Sequence, residues 1–100
     1  MRFEKKQPAE KNSIDADTLA QIRDIMAEKI DSSLPNKEMA KQLRAGEKIP
    51  WSVVFDEFLI GTLLNQIRIT DQRLIDEARS LIFSDNLADI KNKIDNIYRD

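Results

Sequence analysis

From Trp51 to about Arg68 the chain carries Trp51, Val54, Phe55, Phe58, Leu59, Leu63 and Ile67, which would cover more than half the circumference of a helix. A helix that apolar predicts a central element packed on several sides. Pro50 opens it, because the ring fixes a helical φ and the missing N–H is not needed in a first turn. Gly61 falls inside it at a cost of about 1 kcal/mol against alanine. It marks either a close approach of another helix or a slight bend.

Shorter amphipathic stretches flank this segment. Leu19, Ile22, Met26 and Ile30 recur every three or four residues, with Ile25 widening the stripe. They predict a helix from about Asp15 or Asp17 to Asp31, with Asp17 as N-cap. A short helix follows, opened by Leu34-Pro35-Asn36 and closed by Gly46, with Met39, Ala40 and Leu43 as its apolar face. Thr70 as N-cap, with Asp71 in the first turn, announces a helix striped by Leu74, Ile75, Ala78, Leu81 and Ile82. At most two or three residues near Ile69 separate it from the central helix, so the two should be antiparallel neighbours. A last helix starts near Ser84 or Asp85, carries Leu87, Ile90, Ile94 and Ile97 with Tyr98 beside them, and ends the chain. Ser84-Asp85-Asn86 reads as a break or as a kink.

Two glycines and three prolines in 100 residues leave little room for the turns of an all-β fold. The expectation is an all-α protein, an antiparallel four-helix bundle with room for one short extra helix. Residues 1–13 form a polar, flexible N-terminal arm, and 14–100 a single domain. The core should include Leu19, Ile22, Met26, Leu43, Val54, Phe58, Leu59, Leu63, Leu74, Ala78, Leu81 and Ile90.

The totals narrow the function. With 41% hydrophobic and 34% charged residues the chain has a globular balance, not a disordered one. It has no cysteine and no histidine. That removes disulfides, thiol chemistry and the commonest general base and metal ligand, and it fits a reducing cytoplasm. The net charge of −2 comes with no basic stripe, so nucleic acid is not an expected partner. The opening residues, Met1 to Pro8, lack the apolar region of a signal peptide. The most apolar run, Val53 to Leu64, contains Asp56 and Glu57 and is too short to span a bilayer.

Several features invite a sharper reading. Asp56-Glu57 and Asp76-Glu77 are carboxylate pairs, but neighbours on a helix point about 100° apart and share no site. Without histidine, no metal and no cofactor are expected. No Gly-rich phosphate loop and no nucleophile elbow is present, so an enzyme is not expected. Leu34 to Leu43 looks like the first half of a helix-turn-helix. The helix after it is apolar and acidic, however, and belongs in a core, not in a DNA groove. Residues 36–50 carry four positive charges, Lys37, Lys41, Arg44 and Lys48, against two negative ones. This basic face is either an ordinary solvated one or a contact for an acidic partner or an anionic membrane surface. Trp51, beside a helix start, either caps the core or anchors a partner. Tyr98 and the final turn are either contact points or a frayed end.

The stretch from Lys48 to Ser84 resembles the immunity proteins of class II bacteriocins of the pediocin-like and lactococcin-like kind. These small cytoplasmic proteins protect a producing bacterium from its own peptide toxin. The likeness lies in Lys48-Ile49-Pro50, in Val53 and Val54 opening a long apolar helix, and in Leu63-Leu64-Asn65-Gln66-Ile67-Arg68-Ile69-Thr70. It continues through Gln72, Leu74, Ile75, Ala78 and Leu81. The resemblance covers a little over a third of the chain. It implies an antiparallel four-helix bundle that binds, from the cytoplasmic side, a membrane sugar-transporter receptor together with its bacteriocin and blocks the pore. It places specificity in the C-terminal half. The contact residues then expected are Trp51, Arg68, Arg73, Arg79, Lys91, Tyr98 and Arg99 on the hairpin and the last helix. Arg79 and Tyr98 are taken as surface positions whose replacement leaves the fold intact. The rivals are a small regulatory or adaptor protein of phage or plasmid type, with a homodimer left open, and a DNA-binding regulator.

Overall fold

The computed structural model describes residues 13–33 and 36–98, with only the backbone of Tyr98. The expectations placed on residues 1–12, on Leu34 and Pro35, on the Tyr98 side chain and on Arg99 lie outside the described residues. Within them the chain is all-α: α1 (Ala16–Ser33), α2 (Lys37–Arg44), α3 (Val53–Gly61), a π-helical segment (Thr62–Ile67), α4 (Gln72–Ile82) and α5 (Leu87–Tyr98).

The boundaries follow from side chains that satisfy the unpaired amides of a first turn. Asp15, not Asp17, caps α1: its Oδ1 accepts the Thr18 N–H at 2.8 Å. Asn36 caps α2 through the Met39 N–H. Ser52 caps α3 by accepting the Phe55 N–H at 3.2 Å, so Pro50 and Trp51 precede the helix and do not form its first turn. Asp71, not Thr70, caps α4 by accepting the Arg73 N–H at 2.9 Å. Asn86 accepts the Ala88 N–H at 2.8 Å, so Ser84-Asp85-Asn86 is a break and α5 a separate helix.

At its end α2 turns through Gly46 at φ +84°, with the Gly46 N–H on the Leu43 carbonyl and the Glu47 N–H on the Gln42 carbonyl. This pair of bonds is the Schellman arrangement, which needs a left-handed residue. The two glycines therefore respond oppositely to alanine. Gly46→Ala should cost about 1 kcal/mol, because a Cβ is strained at that φ. At Gly61 an added Cβ would meet only the Lys29 Nζ at 4.0 Å. Gly61→Ala should therefore stabilise by up to about 1 kcal/mol. Urea unfolding of both variants checks the opposite signs. Gly61 is thus no close-approach site.

The long central helix changes register past Gly61. The buried Thr62 Oγ1 donates to the Phe58 carbonyl at 2.8 Å, a back-bond that loosens and bends a helix. The next turn is π-helical, the Leu63 carbonyl accepts both the Arg68 and the Ile69 N–H, and Arg68 ends the segment left-handed.

The apolar stripes meet in one core. α1 packs most extensively on α2 and also touches α3 and the π segment; α3 touches α4, and α4 touches α5. Of the expected core, Ile22, Met26, Leu43, Leu59, Leu63, Leu74, Ala78 and Ile90 are buried, and Leu19, Phe58 and Leu81 are half-buried. Val54 is not core, at 41% exposed. The inward stripe is Phe55, Leu59, Thr62 and Leu63, and one of the two neighbours of Phe55 must turn outward. The inner place goes to Asp56, whose charge is paired.

Two buried side chains come from links. Ile49 and Phe83 form an isolated parallel bridge: the Ile49 N–H donates to the Ile82 carbonyl at 3.0 Å, and the Ser84 N–H to the Ile49 carbonyl at 2.9 Å. Close by, Arg23 of α1 reaches the ends of two helices. Its guanidinium donates to the carbonyls of Glu47 at 2.8 Å and Leu81 at 3.2 Å, with a longer bond to Leu43. A cation suits helix C-termini, where carbonyls are unpaired, although burial lowers the Arg23 pKa from its ordinary value.

Candidate functional site

Three surfaces carry the residues expected to act, and the polar groups behind them decide which can. Between α3 and α4 the Arg79 guanidinium grips Asp56 with two bonds, Nε to Oδ1 at 2.9 Å and Nη2 to Oδ2 at 3.0 Å. Both side chains are about 10% exposed. Asp56 also accepts the Trp51 indole N–H at 3.0 Å, and Arg79 gives a third bond to Asp76 at 3.2 Å. Asp76 is held further by Gln72 and by Lys91 of α5 at 3.0 Å. Burial works against the charge on Arg79, but its bonds to Asp56 and Asp76 outweigh that and raise its pKa. Burial likewise pushes Asp76 up, and hydrogen bonds from Lys91 and Gln72 with the charges of Lys91 and Arg79 bring it below its ordinary value. The surface expectation for Arg79 is therefore corrected. It is a buried strut, with its donors turned inward onto carboxylates.

Trp51 is half-buried and fixed on three sides. Its backbone N–H donates to Asp85 at 2.9 Å, its indole reaches Asp56, and the Lys93 ammonium lies 5.8 Å from the ring centre. The Asp85 pKa is lowered, first by the Trp51 N–H and then by Lys93. Lys91 is exposed but tied to Asp76.

The second surface is the link from the π segment to α4. Arg68 holds φ 70° and ψ 40°, a left-handed conformation that costs a residue with a Cβ roughly 1–2 kcal/mol. Its Nε donates to the Asn65 carbonyl at 3.3 Å, and its side chain is exposed. The link borders a cleft of about 740 Å³ whose lining includes Ile14, Thr18, Ile67, Thr70 and Leu74. Its lining mixes the apolar Ile14, Ile67 and Leu74 with hydroxyl and charged side chains, Arg68 and Asp71 among them. Arg73, just beyond, is strongly exposed and paired with Asp71 at 2.8 Å. The Arg73 bond lowers the Asp71 pKa, and Asp71 raises that of Arg73. Strained backbone and π turns concentrate at working sites. Arg68→Gly should release the strain and stabilise by about 0.5–1 kcal/mol, after allowing for the entropy glycine adds to the unfolded chain. Arg68→Ala should leave stability unchanged. Chemical denaturation of the two variants reads the difference.

The third surface is the basic face. Lys37, Lys41 and Arg44 border one shallow depression with Asp31, and Asp31 pairs with Arg44 at 2.9 Å. Lys48 is exposed in the α2–α3 link. The structure thus brings Trp51, Arg79 and Lys91 into one network, and leaves Arg68 with Arg73 on a second surface and the basic residues on a third. Sequence reasoning did not name Asp56, Asp76 and Gln72 as network partners, nor the α1 wall of the cleft. Opposite charges inside two neighbouring apolar stripes were the available signal for the first. The second depends on long-range packing and left none.

Among the described residues no three carboxylates are placed to hold a metal ion, and no helix is long and apolar enough to cross a membrane. No family model, no curated protein and no solved structure matches the chain.

Proposed function

We propose that this chain is a bacteriocin immunity protein that works by binding and not by catalysis. In this reading it sits in the cytoplasm of a producing cell, docks on a membrane sugar-transporter receptor with bacteriocin bound, and blocks the pore. The topology this reading takes is an antiparallel four-helix bundle with one short extra helix. The supporting observation is the link Ile67-Arg68-Ile69-Thr70, which carries part of the resemblance and is also where the backbone is strained beside a cleft of about 740 Å³. Among the described residues Arg68 and Arg73 are exposed cations of that surface, and this reading adds Tyr98 and Arg99 from the sequence alone. The basic face of Lys37, Lys41, Arg44 and Lys48 is then a peripheral contact with the anionic inner leaflet.

The test is protection. Sensitive Gram-positive cells expressing the chain are challenged with a panel of class II bacteriocins. Survival against one member supports the reading and names the toxin; killing by every member of a broad panel rejects it. Arg68→Gly should then lose protection although the protein is more stable. A second reading, a small adaptor of phage or plasmid type that pairs with itself, is favoured by the exposed Leu64 and Ile97. An obligate dimer in sedimentation would support it.

A further inference from the structure

α5 is weakly embedded. Ile90 is fully buried, Leu87 and Ile94 are half-buried, and Ile97 is 50% exposed, so the apolar stripe emerges from the body along the helix. Its other ties are polar: Lys91 to Asp76 at 3.0 Å, Lys93 to Asp85 at 3.1 Å, and Lys93 over the Trp51 ring. Both lysines are about half exposed. Ion pairs of that kind contribute little in water and less in salt.

At the edge of α5, beside Ile94, lies an open depression of about 440 Å³. Ile60 and Leu64 form one wall, Gln72 and Ile75 another, and the Asp56–Arg79 pair borders it; α5 supplies Ile94 alone. The depression between α3, the π segment and α4 thus pairs an apolar patch of Ile60, Leu64 and Ile75 with charged borders, and α5 covers only one edge of it. Asp76 of α4 and Asp85 of the α4–α5 link hold the lysines of α5, and Glu57 is an exposed carboxylate in the wall. Arg79, the cation bordering the depression, is committed to Asp56 and Asp76.

We propose that α5 is a displaceable cover, and that the groove it leaves receives a cationic amphipathic helix of another protein. The α5 footprint defines what fits: apolar residues every three or four positions to lie over Ile60, Leu64 and Ile75, and a flank of lysine or arginine to replace Lys91 and Lys93 on Asp76 and Asp85. This is helix-in-groove recognition, with the cover as an internal competitor. The inference goes beyond the immunity reading and does not rest on it, so a failed protection assay leaves it standing.

The full chain is tested in two ways. Hydrogen exchange of wild-type protein should be faster over 87–98 than over α1, and faster again in about 1 M salt, where screening acts within about 3 Å. The probe is a labelled peptide with the sequence of residues 84–98 carrying Asp89→Lys and Asp95→Lys. It should bind the full-length Lys91→Glu, Lys93→Glu variant at least about tenfold more tightly than wild type, because a closed cover lowers apparent affinity by the fraction open. Adding Asp76→Lys to the variant should remove that gain. Exchange over 87–98 as slow as in α1 and insensitive to salt overturns the proposal. So does equal peptide affinity for variant and wild type, or a variant that sediments as a dimer with a second copy's α5 in the groove.

Discussion

Replacing Arg79 by alanine should destabilise the protein by about 3–5 kcal/mol, because it strands the Asp56 carboxylate in a buried site. Asp56→Ala should cost less, because Arg79 keeps its bond to Asp76. A domain of this size has about 5–15 kcal/mol in total, so the Arg79 change removes a large share and lowers Tm by more than about 10 °C. The double variant Asp56→Leu, Arg79→Met should regain much of the loss, since a buried ion pair exchanged for apolar side chains is often neutral. Trp51, bonded to Asp56, reports the transition by its emission. Urea unfolding of wild type, Asp56→Leu, Arg79→Met and the double variant forms a double-mutant cycle, with the alanine variants measured beside it. A loss under about 1 kcal/mol for Arg79→Ala would mean that the pair is not desolvated in solution.

Phe83→Ala should be comparably severe, at about 3–5 kcal/mol. Phe83 is 1% exposed and heads the largest of the fully buried side chains. It lies in the link between α4 and α5, with its bridge partner Ile49 in the link between α2 and α3. Truncation therefore opens a cavity where two connections meet, and neither link can close it by moving alone. Phe83→Leu keeps most of the volume and should cost less than half as much. Thermal unfolding of the two variants tests this, and equal losses would contradict it.

The helices were legible because each buries a stripe with a period near 3.6, and the stripes of α1, α2 and α4 fell on the residues that are inside. Their starts were less legible. Asp15 with Asp17, and Thr70 with Asp71, each offer two capping side chains within a turn, and the choice depends on which first-turn amide each reaches. Ile49 and Phe83 were hidden because residues in links follow no period. Arg79 was misplaced for a different reason. An arginine at the edge of a stripe reads as surface until its partner is known, and that partner sits 23 positions away. The same limit applies to the cleft at Arg68: the link was visible in the sequence, but its strain and its facing wall from α1 arise only when distant segments meet.

The bridge between Ile49 and Phe83 has a meaning for how such a chain can change over generations. It holds the two ends of the segment 49–83 side by side, at about the 4.8 Å spacing of paired strands. That segment contains α3, the π turn, the strained link and α4. It enters and leaves the body at one place, so exchanging it between kindred chains would leave both junctions in register. Recombination at these two points would therefore exchange the strained link and its helices in one event, while α1 and α2 keep their mutual packing.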